Sequence, residues 1–233
     1  MCEIEEMSEK VKVFRSLSNL VAVALALADK QVSKPKQQPK QSECNKPLMI
    51  IGPSAVGKDT MINRLKAKYP NVIYKLPSYT TRPRREGEVD KVDYYFVTKE
   101  EFAELRNNGE LFGIQEYNNN CYASNKKRLE EALKNKEKIT ILNYNIETAN
   151  DVKGEIPFYF VAVLPPSEKA LKERLIKRKT KTEEIERRMD NSRREIQLIH
   201  EASYIDFRMV NDKEDEAYNK LEKKLKEIYP QLH

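Results

Sequence analysis

One stretch constrains the fold of this chain more than any other: Leu48-Met-Ile-Ile-Gly-Pro-Ser-Ala-Val-Gly-Lys-Asp-Thr60. Four apolar residues, Leu48 to Ile51, run into a glycine turn, then Gly57-Lys58, then an amphipathic segment from Met61 to Tyr69. That order predicts strand, tight loop and helix, and the spacing fits Gly-x-x-x-x-Gly-Lys, a phosphate-binding loop. Gly52 and Gly57 free the backbone to curl, so that Ser54, Ala55, Val56 and Gly57 turn successive N–H groups toward a polyphosphate. The following helix aims its positive end at the same anion, and Lys58 adds a full charge. The motif normally continues with Ser or Thr, whose hydroxyl ligates Mg²⁺. Here that position is Asp59, with Thr60 beyond it. The loop is expected to cradle a nucleoside triphosphate.

The remaining composition narrows the setting. A chain of 233 residues suits one α/β domain with an appendage and can bury a full core. The net charge of +6 reads either as a solvated lysine surface or as charge gathered around anionic ligands. Acidic residues are mixed through most basic stretches and no zinc-finger pattern appears, which argues against nucleic acid as a partner. Cys2, Cys44 and Cys121 are odd in number and far apart, so a reducing, cytoplasmic setting is expected, without a disulfide framework or zinc site. His200 and His233 are the only histidines, which leaves histidine-based catalysis almost nothing to work with.

Residues 1–46 differ from the rest and read as an N-terminal extension. Val11, Phe14, Ser18, Val21 and Leu25 recur at helical spacing within Met7 to Asp29, and Gln31 to Lys46 is a Lys/Gln/Pro/Ser-rich linker. Glu3, Glu5, Glu6 and Glu9 oppose a signal peptide or organelle presequence, and the apolar run Leu20–Ala28 is too short to span a membrane. A helix that packs on the domain or on a second copy is the preferred reading; a monomer or weak dimer follows. From Pro47 onward strands and helices alternate. Thr98-x-x-Glu101 is a capping box, Asn108-Gly109 a C-terminal cap, and Asn118-Asn119-Asn120 a turn between strands. Ser78 to Glu88 and Lys177 to Arg187 are too polar for core. Strands separated by long helices predict an α/β fold with a parallel sheet flanked by helices on both faces.

The second informative stretch is Ser78-Tyr-Thr-Thr-Arg82-Pro-Arg-Arg85-Glu-Gly-Glu88, followed by Asp93-Tyr94. Arginines in a glycine-containing loop cannot be buried unpaired. Downstream of a phosphate loop they suggest a clamp for a second phosphate, built from guanidinium forks and closed by the hydroxyls of Tyr94 and Tyr122. With these residues quoted, the chain resembles the guanylate kinase family from about Pro47 to Ile228. The loop is similar to Gly-Pro-Ser-Gly-x-Gly-Lys-Ser-Thr, and Ser78-x-Thr-Thr-Arg82-x-x-Arg85-x-x-Glu88 to the acceptor-site signature. Leu164-Pro-Pro-Ser and Val210-Asn211-Asp212 resemble later landmarks.

The resemblance implies a P-loop NTPase fold over residues 47–229. Its parts are a core (47–78 and 126–229), a small mixed-β acceptor insert (79–125) and a short lid at about 178–187. It further implies ATP and Mg²⁺, with small-molecule nucleotides as partners. Lys58 would bridge the β and γ phosphates; Arg178 and Arg188 would neutralise charge on the transferring group, with Arg174 helping. Arg82, Arg85, Tyr94 and Tyr122 would hold the acceptor phosphate, Glu88 orienting the arginines, and Asn211 would border the donor site.

The chain also departs from the family pattern, which reads guanine with a serine, a glutamate and an aspartate. Ser78 stands at the serine position and Ser124 at a neighbouring hydroxyl position. The glutamate position is Gly113, and the family's Asp-x-Asp is Asn143-Tyr-Asn145. Two lost hydrogen bonds to a charged group, at about 1.5–3 kcal/mol each, amount to a hundredfold or more in GMP affinity. Gln115, two residues along the same strand face, is a partial substitute. Ala55 and Ala123 replace family glycines, and Asp59 is expected to ligate Mg²⁺ directly or through water. Three readings follow: a kinase that converts GMP and ATP to GDP and ADP, the same mechanism with another acceptor, or a phospholigand-binding module without catalysis. Retention of Lys58 and the lid arginines opposes the third.

Overall fold

The structure, a computed structural model, describes residues 46–117, 119–178 and 180–233. The helix expected within Met7 to Asp29 lies outside them. The central element is β1 (Leu48–Ile51), whose four residues are fully buried. It pairs in parallel with β7 (Ile139–Tyr144) and with β8 (Tyr159–Leu164). Adding β2 (Ile73–Lys75) and β9 (Phe207–Val210) gives a five-stranded parallel sheet in the order β2-β7-β1-β8-β9.

Alternation along β1 builds two cores. Leu48 and Ile50 face Met61, Ile62 and Leu65 of α1 (Lys58–Lys68), together with Leu171 and Leu175 of α5 (Glu168–Lys177) and Leu221 and Leu225 of α7 (Glu214–Lys226). Met49 and Ile51 face Leu129 of α3 (Lys126–Lys134), Ile146 and Ala149 of α4 (Ile146–Val152) and Ile199 of α6 (Thr182–Glu201). Each such buried aliphatic side chain contributes about 1.5–3 kcal/mol. The sheet is thereby fixed with the C-terminal ends of β1, β7 and β8 along one edge, the edge at which ligands of open α/β sheets bind.

A second, mixed sheet has the order β4-β3-β6-β5. It comprises β3 (Ser78–Thr80), β4 (Tyr94–Phe96), β5 (Leu111–Tyr117) and β6 (Asn120–Asn125). Phe102 of α2 (Lys99–Asn107) packs on Leu111 and Ala123 beneath it. The capping box forms as its spacing requires: Glu101 N–H donates to Thr98 Oγ1 at 3.1 Å and Thr98 N–H to Glu101 Oε2 at 2.7 Å.

Two polar stretches are more ordered than their composition indicates. Ser78–Thr80 is a strand between β4 and β6 rather than loop, because neighbours on both sides satisfy its backbone. Helix α6 begins at Thr182, inside the stretch expected as a lid, with Glu183 and Glu184 against its positive end and Ile185 and Met189 buried. Among the described residues no helix is long and apolar enough to cross a membrane.

Candidate active site

The loop between β1 and α1 is held from behind. Asn211, at the end of β9, donates from Nδ2 to Val56 O at 2.7 Å. Its amide presses so closely on Gly57 that a β-carbon there would overlap it, and Gly57 has φ 107°, so only glycine fits. Arg174 of α5 donates to Val56 O at 3.3 Å, to Asn211 O at 2.7 Å and to Asp212 O at 3.2 Å. Arg174 and Asn211, the residues expected beside the ATP phosphates, clamp the backbone that forms the loop. Ala55, in place of the family glycine, sits in the left-handed region with φ 63°.

Lys58 opens α1 and curls back over the loop, donating to Gly52 O and, at 3.0 Å, to Pro53 O. Burial lowers its pKa below the usual lysine value; the carboxylates of Glu195 and Asp59 oppose the fall and Arg178 adds to it. Glu195, on α6, is 4% exposed and its Oε2 has no hydrogen-bond partner. Burial pushes its carboxyl up to about 7, Lys58 pulling it down and Glu147 pushing it up. A lone glutamate in a charged helix gave no sequence signal for this; only the folded chain buries it within electrostatic reach of Lys58.

Asp59 stands where the usual hydroxyl would be. Its Oδ1 accepts from Lys75 Nζ at 3.3 Å and from Asn143 Nδ2 at 3.0 Å, and neither bond uses Oδ2. Burial raises its pKa, but Lys75, Lys58 and the hydrogen bonds from Lys75 and Asn143 outweigh that and hold the carboxyl below its usual value. Asn143, expected to read the acceptor base, therefore faces the donor loop. Lys75, which the sequence did not single out, lies 5.6 Å from the Tyr94 ring centroid and so ties the loop to the second sheet.

On that sheet Arg82 makes the expected two-pronged bond to Glu88, NH1 to Oε2 at 3.0 Å and NH2 to Oε1 at 2.7 Å. Arg85 donates its backbone N–H to Glu88 Oε2 at 2.8 Å and leaves its guanidinium exposed. Arg82 lies 5.4 Å from the Tyr94 centroid, and the Tyr94 and Tyr122 rings meet edge-on at 6.2 Å. Burial raises the Tyr94 phenol, with Asp59 adding to the rise, so its hydroxyl stays protonated as a donor. Arg188 pairs with Glu184 at 2.8 Å in α6, its Nε buried without a partner, while Arg178 caps α5 and stands exposed.

The positions expected to read the base are the most altered. Gly113 has φ 62°, and a β-carbon there would lie 2.6 Å from Tyr144 Cζ, so the ring of Tyr144 fills the place of a side chain. The strand bulges between Phe112 and Gln115 to make this room. Tyr144 Oη stands 2.7 Å from Ser124 Oγ and 3.2 Å from Phe112 O, and Ser124 Oγ is 3.5 Å from Ser78 Oγ. Gln115 spends its Oε1 on Asn145 N–H at 3.1 Å, and Asn145 Oδ1 caps α4 by accepting from Thr148 N–H at 2.9 Å. Gln115 Oε1 and Asn145 Oδ1 are thus engaged within the protein. Cys121 is half-buried beside the Phe102 cluster.

A metal suits the donor side. Among the described residues no three His, Cys, Asp or Glu side chains gather as an all-protein cage. Mg²⁺ in phosphate sites needs only one or two carboxylates, the rest being phosphate and water, and Asp59 offers one ionised carboxylate beside the loop.

Comparison with known proteins bears on the fold and the family. A model of the guanylate kinase family matches residues 44–228. The chain is 37% identical over 175 residues to a guanylate kinase of Oceanobacillus iheyensis, covering 74% of this chain and 82% of that one. It is 30% identical over 184 residues to human guanylate kinase, covering 78% and 93%. The crystal structure of guanylate kinase from Anaplasma phagocytophilum superposes with a TM-score of 0.62 at 26% identity, over 78% of this chain and 85% of that one.

Proposed function

Since the chain belongs to the guanylate kinase family, it is an ATP-dependent nucleoside monophosphate kinase that converts GMP and ATP to GDP and ADP, and we propose how its residues divide that work. The ATP phosphates lie along the backbone N–H groups of Ser54 to Thr60, at the positive end of α1. Lys58, released from the loop carbonyls it now caps, follows the transferring phosphoryl group. Arg188 leaves Glu184 and joins Arg178 over that group as the start of α6 closes, so that the lid reaction replaces an intrahelical ion pair with a charge-assisted bond to phosphate.

Arg82 and Arg85 grip the GMP phosphate while Glu88 holds Arg82 rigid, and Tyr94 and Tyr122 donate hydroxyl hydrogens to the same oxygens. The nucleophile is an already ionised phosphate oxygen, so the reaction needs alignment and charge neutralisation rather than a strong base. The scarcity of histidine is consistent with that. Asp59 would hold Mg²⁺ together with phosphate and water oxygens, and the metal would supply Lewis-acid neutralisation of phosphate charge. Arg174 and Asn211 act through the loop they brace. The cytoplasm, where ATP and GMP are both at hand, is the compartment this chemistry fits.

One observation carries the reading: a continuous run of contacts joins the phosphate loop to the acceptor arginines. It passes from Asp59 to Lys75, from Lys75 to the face of Tyr94, and from Tyr94 to Arg82 and its Glu88 fork. Coupled measurement of ADP formation with GMP, dGMP, AMP, CMP, UMP and dTMP tests it. GMP is expected to be the preferred acceptor, and Lys58→Ala to lower kcat on the order of 10³-fold. No ADP above background with GMP would overturn the proposal.

A further inference from the structure

The donor and acceptor residues leave one cation of the site unused, Lys75. It is the last residue of β2, and its backbone is pinned: it stands opposite Ile141 in the parallel register, and Leu76 N–H donates to Ile141 O at 3.1 Å. The stem is rooted in the core sheet, while its four methylenes let the ammonium swing. That ammonium has three hydrogens, and it donates to Asp59 Oδ1 at 3.3 Å. A well-formed charge-assisted bond is about 2.7–2.9 Å long, so this one is loose. Its other neighbour is the ring of Tyr94, with the centroid 5.6 Å away. The Lys75 side chain is only 16% exposed, unlike that of a solvated surface lysine.

Four charges gather around Tyr94. Arg82 lies 5.4 Å from the ring centroid and is forked by Glu88, while Lys75 is matched by Asp59. Two cations and two carboxylates balance. Asp59 cannot serve Lys75 and a divalent metal equally, because the ammonium already occupies Oδ1 and repels a second cation there. Once Asp59 turns to Mg²⁺, Lys75 and Arg82 flank one ring with only Glu88 left to offset them. An anion beside Tyr94 restores the balance, and the acceptor phosphate is the anion assigned to Arg82 and Tyr94.

We propose that Lys75 is a further substrate-binding residue, a swinging cation that neutralises Asp59 while the metal is absent and moves to the acceptor phosphate when Mg²⁺ takes that carboxylate. Metal and acceptor then favour each other through one side chain. Whatever lifts Lys75 off Asp59 readies it for the phosphate, and a phosphate that draws it away clears Asp59 for the metal. By linkage the two effects are equal in size. Lysine suits this exchange better than arginine, being a compact charge on a flexible stem with no planar fork to commit it to one carboxylate. The inference rests on the GMP kinase reading above.

The test is GMP binding to the full chain by titration calorimetry, with a non-hydrolysable ATP analogue present, in EDTA and in saturating Mg²⁺. In the wild type the metal is expected to tighten GMP about tenfold. Lys75→Met removes the charge and should shrink that gain to less than about twofold, by weakening GMP in Mg²⁺ and not in EDTA. Mn²⁺ bound to enzyme and analogue without GMP, read by electron paramagnetic resonance, should become about threefold tighter in the variant, the competing ammonium being gone. A lysine that merely braced β2 would not loosen GMP and tighten the metal at once. Equal GMP affinity with and without metal in the wild type, a full metal effect in Lys75→Met, or weaker Mn²⁺ binding there would overturn the proposal. If Lys75→Met fails to fold, Lys75→Arg decides. Its fork grips Asp59 more firmly, so Mn²⁺ should bind about threefold more weakly, and an unchanged Mn²⁺ affinity would count against the proposal. A wild-type enzyme that binds no GMP under either condition would instead sink the kinase reading itself.

Discussion

Replacing Glu195 by glutamine should make the enzyme more stable at neutral to alkaline pH and less able to use Lys58. The carboxyl titrates near 4.5 when the chain is unfolded and is pushed up to about 7 in the fold, chiefly by burial. Between those values the native protein keeps a proton that the unfolded chain has released. Stability is therefore full below about pH 4.5 and falls as pH rises, levelling off above 7. At about 1.4 kcal/mol per pH unit the whole loss is roughly 3 kcal/mol, and between pH 5 and 8 roughly 2.5 kcal/mol. Glutamine keeps the shape and never ionises. Urea unfolding at pH 5 and pH 8 should show the variant gaining on the wild type by roughly 2.5 kcal/mol over that interval. The kinetic cost falls on Lys58, whose ammonium Glu195 supports against burial. The alkaline limb of kcat should accordingly move to lower pH in the variant. Parallel stability curves would refute the reasoning, because they would mean that the carboxyl is ionised in the fold or well solvated.

Three further outcomes follow from the site. Gly113→Glu, the substitution that sequence comparison invites as a repair, should cost about 3 kcal/mol or more of stability, through the strained φ and the clash with Tyr144, and should not improve GMP use; a better GMP kcat/KM would show that the Tyr144 ring is misplaced. Arg82→Lys cannot reproduce the two-pronged bond to Glu88, and should raise the KM for GMP about tenfold while leaving that for ATP unchanged in steady-state assays. Asp59→Asn should raise the Mg²⁺ concentration needed for half-maximal activity about tenfold; an unaltered Mg²⁺ titration would remove Asp59 from the metal's shell.

What the sequence made legible is what is encoded locally. Strand, loop and helix around Gly57-Lys58 occupy adjacent residues, and the Thr98–Glu101 box closes over three residues. The Arg82–Glu88 fork is local too. The features that escaped depend on packing between distant segments. Glu195 lies in the run Arg-Arg-Glu and has the composition of a solvent face; only docking of α6 buries it. Tyr144 and Gly113 belong to different sheets, so the substitution at one position explained nothing until the other was seen against it. Asn143 and Asn145 looked like members of the base pocket by position, yet their bonds go to Asp59 and to the first turn of α4. A bulky aromatic residue between two asparagines at a strand end, together with a glycine in the middle of a strand, was the available clue.

The position of β1 at the middle of its sheet also bears on how the chain becomes an enzyme. Both its neighbours, β7 and β8, come from beyond the entire second sheet. During synthesis the phosphate loop is made early, but its strand has no partner until the acceptor segment has emerged. Closing that long loop costs entropy before any strand contact repays it, which marks high contact order and slow assembly. The second sheet has the opposite character, since β5 and β6 form a hairpin from nearly adjacent residues. Acceptor side first, donor side last is the order in which this topology lets the two halves of the catalyst appear.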